Sequence, residues 1–370
     1  MGKRVYMAVT NDLITDNRVH KIAQTLIKSD AEVTLLGAKK FHNTPVGPRP
    51  YLTRRFAMIF KKGFLFYAEY NLRLFIFLLF KKFDILVCND LDTLLAGYCA
   101  TFIRRKKVVY DSHEFFTEVP ELVNRNFPRK VWLLLEQMLL PRIKYSYTVS
   151  ESIANTYQKL YNIDMKVVRN LPLYNYKSKD PSTTNSEPRL ILYQGALNVG
   201  RGLEQMIDAI QFMDNVHLFI IGEGDLMNQL KQQVKEKHLE GKITLKGRIP
   251  FQDLPVETRK ADLGIALEEN IGLNYYYALP NKLFDYIQSG VPVLVSPFPE
   301  MQKIVNNYKI GTVYDHKDPQ RLAEKIQEIF ELKKRYQQWK KNTQNAAKEL
   351  CWENEEKILK NIFSKVGLNF

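Results

Sequence analysis

The sequence predicts an α/β protein built from two doubly wound parallel sheets facing a central cleft. Three observations carry this. The chain has 370 residues, more than one ordinary core accommodates. Short apolar runs ending in polar residues alternate with stretches of helical periodicity. That alternation is interrupted once, by YNYKSKDPSTTNSEPR at 174–189, and then restarts. The interruption is rich in Ser, Thr, Asn, Lys and Pro, as a linker is. The expected parts are a first domain at 1–173, the linker at 174–189, a second domain at 190–351, and a tail helix at 352–370.

The elements follow in order. VYMAVTND reads as a strand, after which Asp16 or Asn17 can cap a helix with Val19, Ile22, Ala23, Leu26 and Ile27 on one face. EVTLLGA, FDILVCND and KVVYDSHE are further apolar strands with polar C-terminal ends, as buried parallel strands have. YTVSESIANTYQKLY passes from strand to helix, with Ser150 as the cap. Beyond the linker, LILYQGA, VHLFIIGEGD, KITLKGRI, ADLGIALE and VPVLVS read as strands. LEQMIDAI turns Leu203, Met206, Ile207 and Ile210 inward, and NKLFDYIQSG is a helix stopped by Gly290. The tail, WENEEKILKNIFSKV, places Ile358, Ile362 and Val366 on one stripe that is able to cross back onto the first domain.

Composition narrows the class. Apolar residues at 45% and charged residues at 25% describe a globular protein. Three cysteines, Cys88, Cys99 and Cys351, form no CxxC and fit a reducing cytoplasm better than a disulfide framework or a zinc site. The N-terminus carries only a short apolar run before Asn11 and Asp12, so it reads as a first strand and not as a signal peptide. A formal net charge of +14 calls for a polyanionic neighbour, either nucleic acid or an anionic membrane.

The distribution of that charge is informative. At 54–86 the basic pairs Arg54 and Arg55, Lys61 and Lys62, and Lys81 and Lys82 bracket an apolar, aromatic-rich segment. Glu69, Asn71 and Arg73 interrupt it, which makes it too short and too polar to span a bilayer. Two readings stay open: a helix lying at a lipid interface, or a helix buried in its domain with a solvated basic rim.

Four stretches carry candidate chemistry. VVYDSHEFFTEVPEL, at 108–122, leaves a strand and presents His113 among carboxylates, including Glu114. YQGALNVGRG, at 193–202, joins a strand to a helix; its glycines admit backbone amides to a phosphate and Arg201 adds positive charge. IGEGD, at 221–225, is a second such turn. In ALPNKLFDYIQSGVPVLVS, at 278–296, Pro280 presets a helix start, Asn281 and Lys282 occupy its first turn, and Asp285 lies one turn on. A lysine at a helix N-terminus opposes the macrodipole, so an anion between them accounts for it. Asp285 is able to accept hydrogen bonds from a ribose diol.

In this order, YDSHEFFTEVPEL, YQGALNVGRG, IGEGD, KGRI and ALPNKLFDYIQSGVPV resemble the GT-B glycosyltransferases of family 4, and in particular bacterial members that build surface polysaccharides and lipid-linked glycans. The likeness covers nearly the whole chain. It implies two Rossmann-like domains and transfer of a glycosyl unit from a nucleotide-sugar, UDP- or GDP-linked, to a lipid-linked or growing glycan acceptor with retention, without metal or other cofactor. By position His113 matches the catalytic histidine near the primary hydroxyl of the transferred sugar, with Glu114 beside it. Gly195 opens the first phosphate turn, and Arg201 with Gly202 stands where the family has Lys-Gly on the donor diphosphate. Gly222, Glu223 and Gly224 match the turn lining the nucleotide, Arg248 lies near the base, and Asp285 stands where a Glu binds ribose.

There are departures. The residue after Gly195 is Ala196 where the family has Arg, so one phosphate contact is either missing or supplied by Lys282. The paired-Glu motif is absent, Tyr277 standing eight before Asp285; Glu268, Glu269 and Asn274 are candidates to substitute. The loop TNDLITDNR lacks the usual glycines, leaving Asp12 and Arg18 as acceptor-side candidates. Asp90 and Asp92 in CNDLD imitate a metal-binding DxD but read as a loop feature at a strand end. The expected setting is cytoplasmic and peripheral, on an anionic membrane surface. The competing readings are a sugar-nucleotide epimerase of the same architecture and a basic nucleic-acid-binding protein; no RNA-binding or recognition-helix signature favours the latter.

Overall fold

The computed structural model describes residues 2–39, 45–123, 125–177 and 187–370. The chain divides into two compact units, Met1–Asn170 with Asn354–Phe370, and Leu171–Glu353. Each is a parallel α/β unit, as the alternation predicts.

The first unit holds seven strands: β1 (Arg4–Ala8), β2 (Glu32–Lys39), β3 (Leu52–Ala57), β4 (Ile85–Asn89), β5 (Lys107–Ser112), β6 (Tyr145–Thr148) and β7 (Lys166–Val167). They lie in the order β3-β2-β1-β4-β5-β6-β7, with every pair parallel. The order reverses between β1 and β4, and the C-terminal ends beside such a reversal are where doubly wound folds bind ligands. The helices are α1 (Asn17–Ile27), α2 (Gly63–Phe80), α3 (Leu91–Ile103), α4 (Pro120–Val123), α5 (Asn126–Leu139) and α6 (Glu151–Tyr161).

Local chemistry places these elements. Asp16 caps α1 by accepting the Val19 N–H at 3.0 Å, and Val19, Ile22, Ala23 and Leu26 are buried while Ile27 is half-buried. Ser150 caps α6 through the N–H of Ile153 at 3.4 Å. β3 was not foreseen from sequence, because its residues LTRRFA place two arginines in mid-strand. α3 and α5 were not foreseen either.

α2 lies on the first unit and buries Phe66, Tyr70, Leu74 and Leu78, a single stripe at four-residue spacing. Polar residues fasten it there. Tyr70 Oη donates to the Leu36 carbonyl at 3.2 Å, and Asn71 donates to the Asp92 carbonyl at 2.7 Å while accepting the Ala96 N–H at 3.1 Å. Glu69 accepts the N–H groups of Ile59 and Phe60 and pairs with Arg73 at 2.7 Å. Residues that interrupt the apolar run thus hold α2 to its domain. Its other faces remain apolar and exposed: Phe64, Leu65, Leu72, Ile76 and Phe80, the last at 81%.

The second unit holds β8 (Arg189–Gln194), β9 (Val216–Ile221), β10 (Ile243–Gly247), β11 (Leu263–Ala266), β12 (Val293–Val295) and β13 (Gly311–Val313), in the order β10-β9-β8-β11-β12-β13 and all parallel. Its helices are α7 (Leu203–Ile210), α8 (Met227–Glu236), α9 (Leu254–Thr258), α10 (Leu273–Tyr276), α11 (Asn281–Gln288), α12 (Pro299–Tyr308), α13 (Pro319–Glu331) and α14 (Lys333–Glu349). α7 buries Leu203, Met206, Ile207 and Ile210 as expected. α11 begins after Pro280 and ends before Gly290, whose φ of +72° is the left-handed stop that glycine supplies.

Of the expected linker, residues 178–186 lie outside the described residues. Its beginning is tied to α11, since the Asn175 and Lys177 N–H groups bond Gln288 at 3.1 and 3.0 Å. The tail helix, α15 (Trp352–Val366), runs from the second unit into residues grouped with the first. Its buried stripe is Leu359, Ile362, Phe363 and Val366, whereas Ile358 is exposed. Ile362 and Val366 are thus buried as expected, and Leu359 and Phe363 fill the rest of the face in place of Ile358.

Candidate active site

In the first unit, charged side chains converge beyond the C-terminal ends of β4 and β5. Asp111, the fifth residue of β5, is fully buried and forms a two-point ion pair with Arg18: Nη2 to Oδ1 at 2.6 Å and Nε to Oδ2 at 3.2 Å. Arg18 Nη1 also donates to the Val168 carbonyl at 2.9 Å. Next comes His113, whose Nε2 lies 3.1 Å from Asp111 Oδ2 and whose Nδ1 lies 3.4 Å from Asp90 Oδ2. The His113 N–H donates to Asp90 Oδ1 at 2.8 Å. The result is a charge train, Arg18, Asp111, His113, Asp90, with about a fifth of the His113 and Asp90 side chains open to solvent.

The electrostatics follow from that order. Burial opposes charge on Asp111, but Arg18 and His113 outweigh it and hold the carboxyl below its usual range. Burial likewise opposes charge on His113, yet the two carboxylates push it up to about 10. Burial raises Asp90, with His113 working the other way. The geometry favours the charged imidazole, with Nε2 3.1 Å from Asp111 Oδ2 and Nδ1 3.4 Å from Asp90 Oδ2, so a general-base role would require His113 to work against both carboxyls. Asp90 has φ +61° and ψ 167°, a backbone region that non-glycine residues avoid, and its N–H donates to the Asp111 carbonyl at 2.8 Å.

In the second unit, two glycine turns interlock at the ends of β8 and β9. The Gly195 N–H bonds Ile221 O at 2.9 Å, the Leu197 N–H bonds Glu223 O at 3.0 Å, and the Gly222 N–H bonds Gly247 O at 2.9 Å. A side chain at Gly222 is excluded: a Cβ there would lie 1.8 Å from the Gly195 carbonyl oxygen, and φ is +151°. At Gly224 a Cβ would come within 2.5 Å of the Leu197 carbonyl oxygen.

Two cations from different elements meet next to these turns. Arg201 Nη1 donates to Glu268 Oε2 at 2.8 Å, and Lys282 Nζ, from the first turn of α11, donates to Glu268 Oε1 at 2.9 Å. The Glu268 carboxylate is fully buried, Lys282 is buried, and Arg201 is partly exposed. Each cation also lies over an aromatic ring, Arg201 over Tyr275 at 4.5 Å and Lys282 over Tyr193 at 4.1 Å. Burial opposes ionisation of Glu268, but Lys282 and Arg201 hold it below the usual range. Burial lowers the Lys282 amine, with Glu268 working against that drop. Arg201 Nε is buried without a hydrogen-bond partner among the described residues, although it belongs to a cation.

Several expected residues fall elsewhere. Arg18 is buried and spent on Asp111, so it stands behind His113 and not at an acceptor-facing surface. Asp12 accepts the Ile14 N–H at 3.2 Å in its own loop. Glu114 contributes charge beside Asp90, and its carbonyl accepts the Ser112 hydroxyl at 2.9 Å. Asp285 accepts Gln194 Nε2 at 3.0 Å. Arg248 and Asn281 are exposed, and Gly202, at φ +67°, precedes α7 with the Leu267 carbonyl against it. Asp90 is more than a loop feature, since it grips His113 at two points; Asp92 turns to Thr10, accepting its hydroxyl at 2.5 Å. Asp111 is one of the carboxylates that flank His113 in the sequence, but nothing local gives it a role, and Glu268 stands out there only as a substitute for the paired-Glu motif.

Fold and site together describe an α/β protein of two parallel units with charged clusters at C-terminal strand ends. Residues 16–171 match the family Glycosyltransferase Family 4 and residues 176–346 match Glycosyl transferases group 1. The chain belongs to the GT-B glycosyltransferases of family 4. It is similar to a chitobiosyldiphosphodolichol beta-mannosyltransferase of Debaryomyces hansenii, at 22% identity over 273 residues, 65% of this chain and 57% of that protein. It is also similar to the O-antigen chain mannosyltransferase RfbU of Salmonella typhimurium, at 25% over 202 residues, 53% of this chain and 54% of that protein. The matched region thus spans about half the length of these relatives. Among solved structures it resembles a sucrose-phosphate synthase from Thermosynechococcus elongatus, with TM-score 0.80, 15% identity, and 98% and 99% of the two chains covered. Anabaena HepE in complex with UDP and glucose gives TM-score 0.75, 15% identity, and 98% and 100% coverage. At such identities the structural likeness speaks for the fold.

Proposed function

We propose that this chain is a retaining glycosyltransferase that moves a sugar from a UDP- or GDP-linked donor to a lipid-linked or growing glycan acceptor, without metal, at the inner face of the membrane. The observation that carries this reading is the meeting of Arg201 and Lys282 on one buried carboxylate beside the interlocked glycine turns. Fixed cations of this kind stabilise charge that develops on a leaving diphosphate. In the reaction, the bond between anomeric carbon and phosphate oxygen breaks with its electron pair on the phosphate. The acceptor oxygen forms the new bond, and its proton passes to the leaving phosphate oxygen on the same face. His113, held on both nitrogens, positions the sugar and does not take the proton. The relatives named for mannosyl transfer support a lipid-linked or polysaccharide acceptor.

The membrane setting rests on α2. Its Phe64, Leu65, Leu72, Ile76 and Phe80 are exposed, as are Phe102 and Ile103 at the end of α3, which Arg104 ties to the last turn of α2 through the Leu78 carbonyl at 2.8 Å. Lys62, Lys81 and Lys82 flank α2 and Arg105 follows α3, all exposed, as suits an anionic headgroup layer over an apolar interior.

Incubation with radiolabelled UDP- and GDP-sugars and a membrane lipid extract tests the reading. The expected result is label in the lipid or glycan fraction, with the donor's anomeric configuration kept. Epimerised donor without acceptor transfer would favour the epimerase reading, and an inverted product would overturn retention.

A further inference from the structure

Two like charges do not share a buried site unaided. Arg201 enters from the loop before α7 and Lys282 from the start of α11, and among the described residues neither pairs with a second carboxylate. Glu268 meets both with separate oxygens. Its backbone is fixed as well, since Ser296 Oγ donates to its carbonyl at 2.6 Å. Lys282 also passes close to the first glycine turn, where a Cβ on Gly195 would come within 3.4 Å of Lys282 Cε. Arg201 Nε, buried and unpartnered, retains a donor for a further anion. One carboxylate against two cations leaves a net charge of about +1.

We propose that Glu268 is a positioning residue that keeps Arg201 and Lys282 convergent and Lys282 charged, so that the leaving diphosphate meets two ready cations. This rests on the donor-site reading above. The groups around the Lys282 amine are Glu268, Arg201, the Tyr193 ring from β8 and Tyr275 from α10. Of these, Glu268 is the anion at neutral pH. Without it, burial and the Arg201 charge both favour the neutral amine. Diphosphate binding must then bring its own proton to Lys282.

Titration calorimetry of the full chain with UDP and GDP, from pH 6 to 9, tests this. Wild type is expected to bind with little pH dependence. Glu268→Gln is expected to bind within about threefold of wild type at pH 6 and to lose tenfold or more by pH 9, with proton uptake visible as a dependence of binding heat on the buffer. A loss of the same size at every pH, or none at any pH, overturns the proposal. A second comparison keeps the carboxylate. Glu268→Asp is expected to bind without pH dependence between pH 6 and 9, whatever its absolute affinity. A Glu268→Asp variant whose affinity falls over that range as steeply as that of Glu268→Gln also overturns the proposal. Wild type binding neither nucleotide overturns the donor-site reading itself, and this role with it.

Discussion

His113 shows what one residue's neighbours decide. Two carboxylates hold its two ring nitrogens, and one of them, Asp111, is itself pinned by Arg18. Asp111→Asn would leave the Arg18 guanidinium buried without a counter-charge, at a cost of about 3–5 kcal/mol. Urea unfolding checks this, and a loss under about 1 kcal/mol would contradict the charge train. The raised pKa of His113 has a definite sign: the folded state holds a proton that the unfolded chain has released. His113 therefore contributes stability in full below about pH 6.5, and that contribution erodes as pH rises through about 10. His113→Gln should flatten this slope in unfolding measured from pH 7 to 10. His113→Ala should lower turnover by about 100-fold or more while leaving nucleotide affinity within twofold, measured by kinetics and calorimetry together. His113 was legible because a histidine among carboxylates follows a strand. Arg18's true partner was not, since 93 residues separate it from Asp111 and only the fold joins them.

Among the elements, α2 was legible as a helix with basic flanks, but not in which face it buries. Phe, Leu and Ile lie on every side, so the apolar pattern has no phase to read. The structure supplies the phase: Phe66, Tyr70, Leu74 and Leu78 face inward, and Phe64 and Phe80 outward. Flotation with liposomes containing anionic phosphatidylglycerol should carry the chain upward at low salt. Replacing Phe64, Leu72 and Phe80 together by Ser should abolish flotation without changing the thermal midpoint by more than a few degrees, because these side chains are exposed. Unchanged flotation of that variant would place the contact elsewhere. In the tail helix Ile362 and Val366 were legible, but Ile358 lies at the edge of a face that Leu359 and Phe363 widen.

For the whole molecule, the strand and helix alternation was legible because parallel strands buried on both sides are continuous apolar runs. Strand order was not, since it depends on crossovers that leave no local signal. The edge strands β7 and β13, of two and three residues, were too short to show a period. What the fold does with its glycine turns is the central claim: they and the Arg201, Lys282 and Glu268 cluster bind the diphosphate of a nucleotide-sugar. Titration of the wild-type chain with UDP, GDP, ADP, CMP and dTDP, without metal, tests it most directly. One diphosphate binding at micromolar affinity, lost about tenfold or more in Arg201→Ala, is the predicted result. No binding by any of the five, or binding indifferent to Arg201, would contradict it.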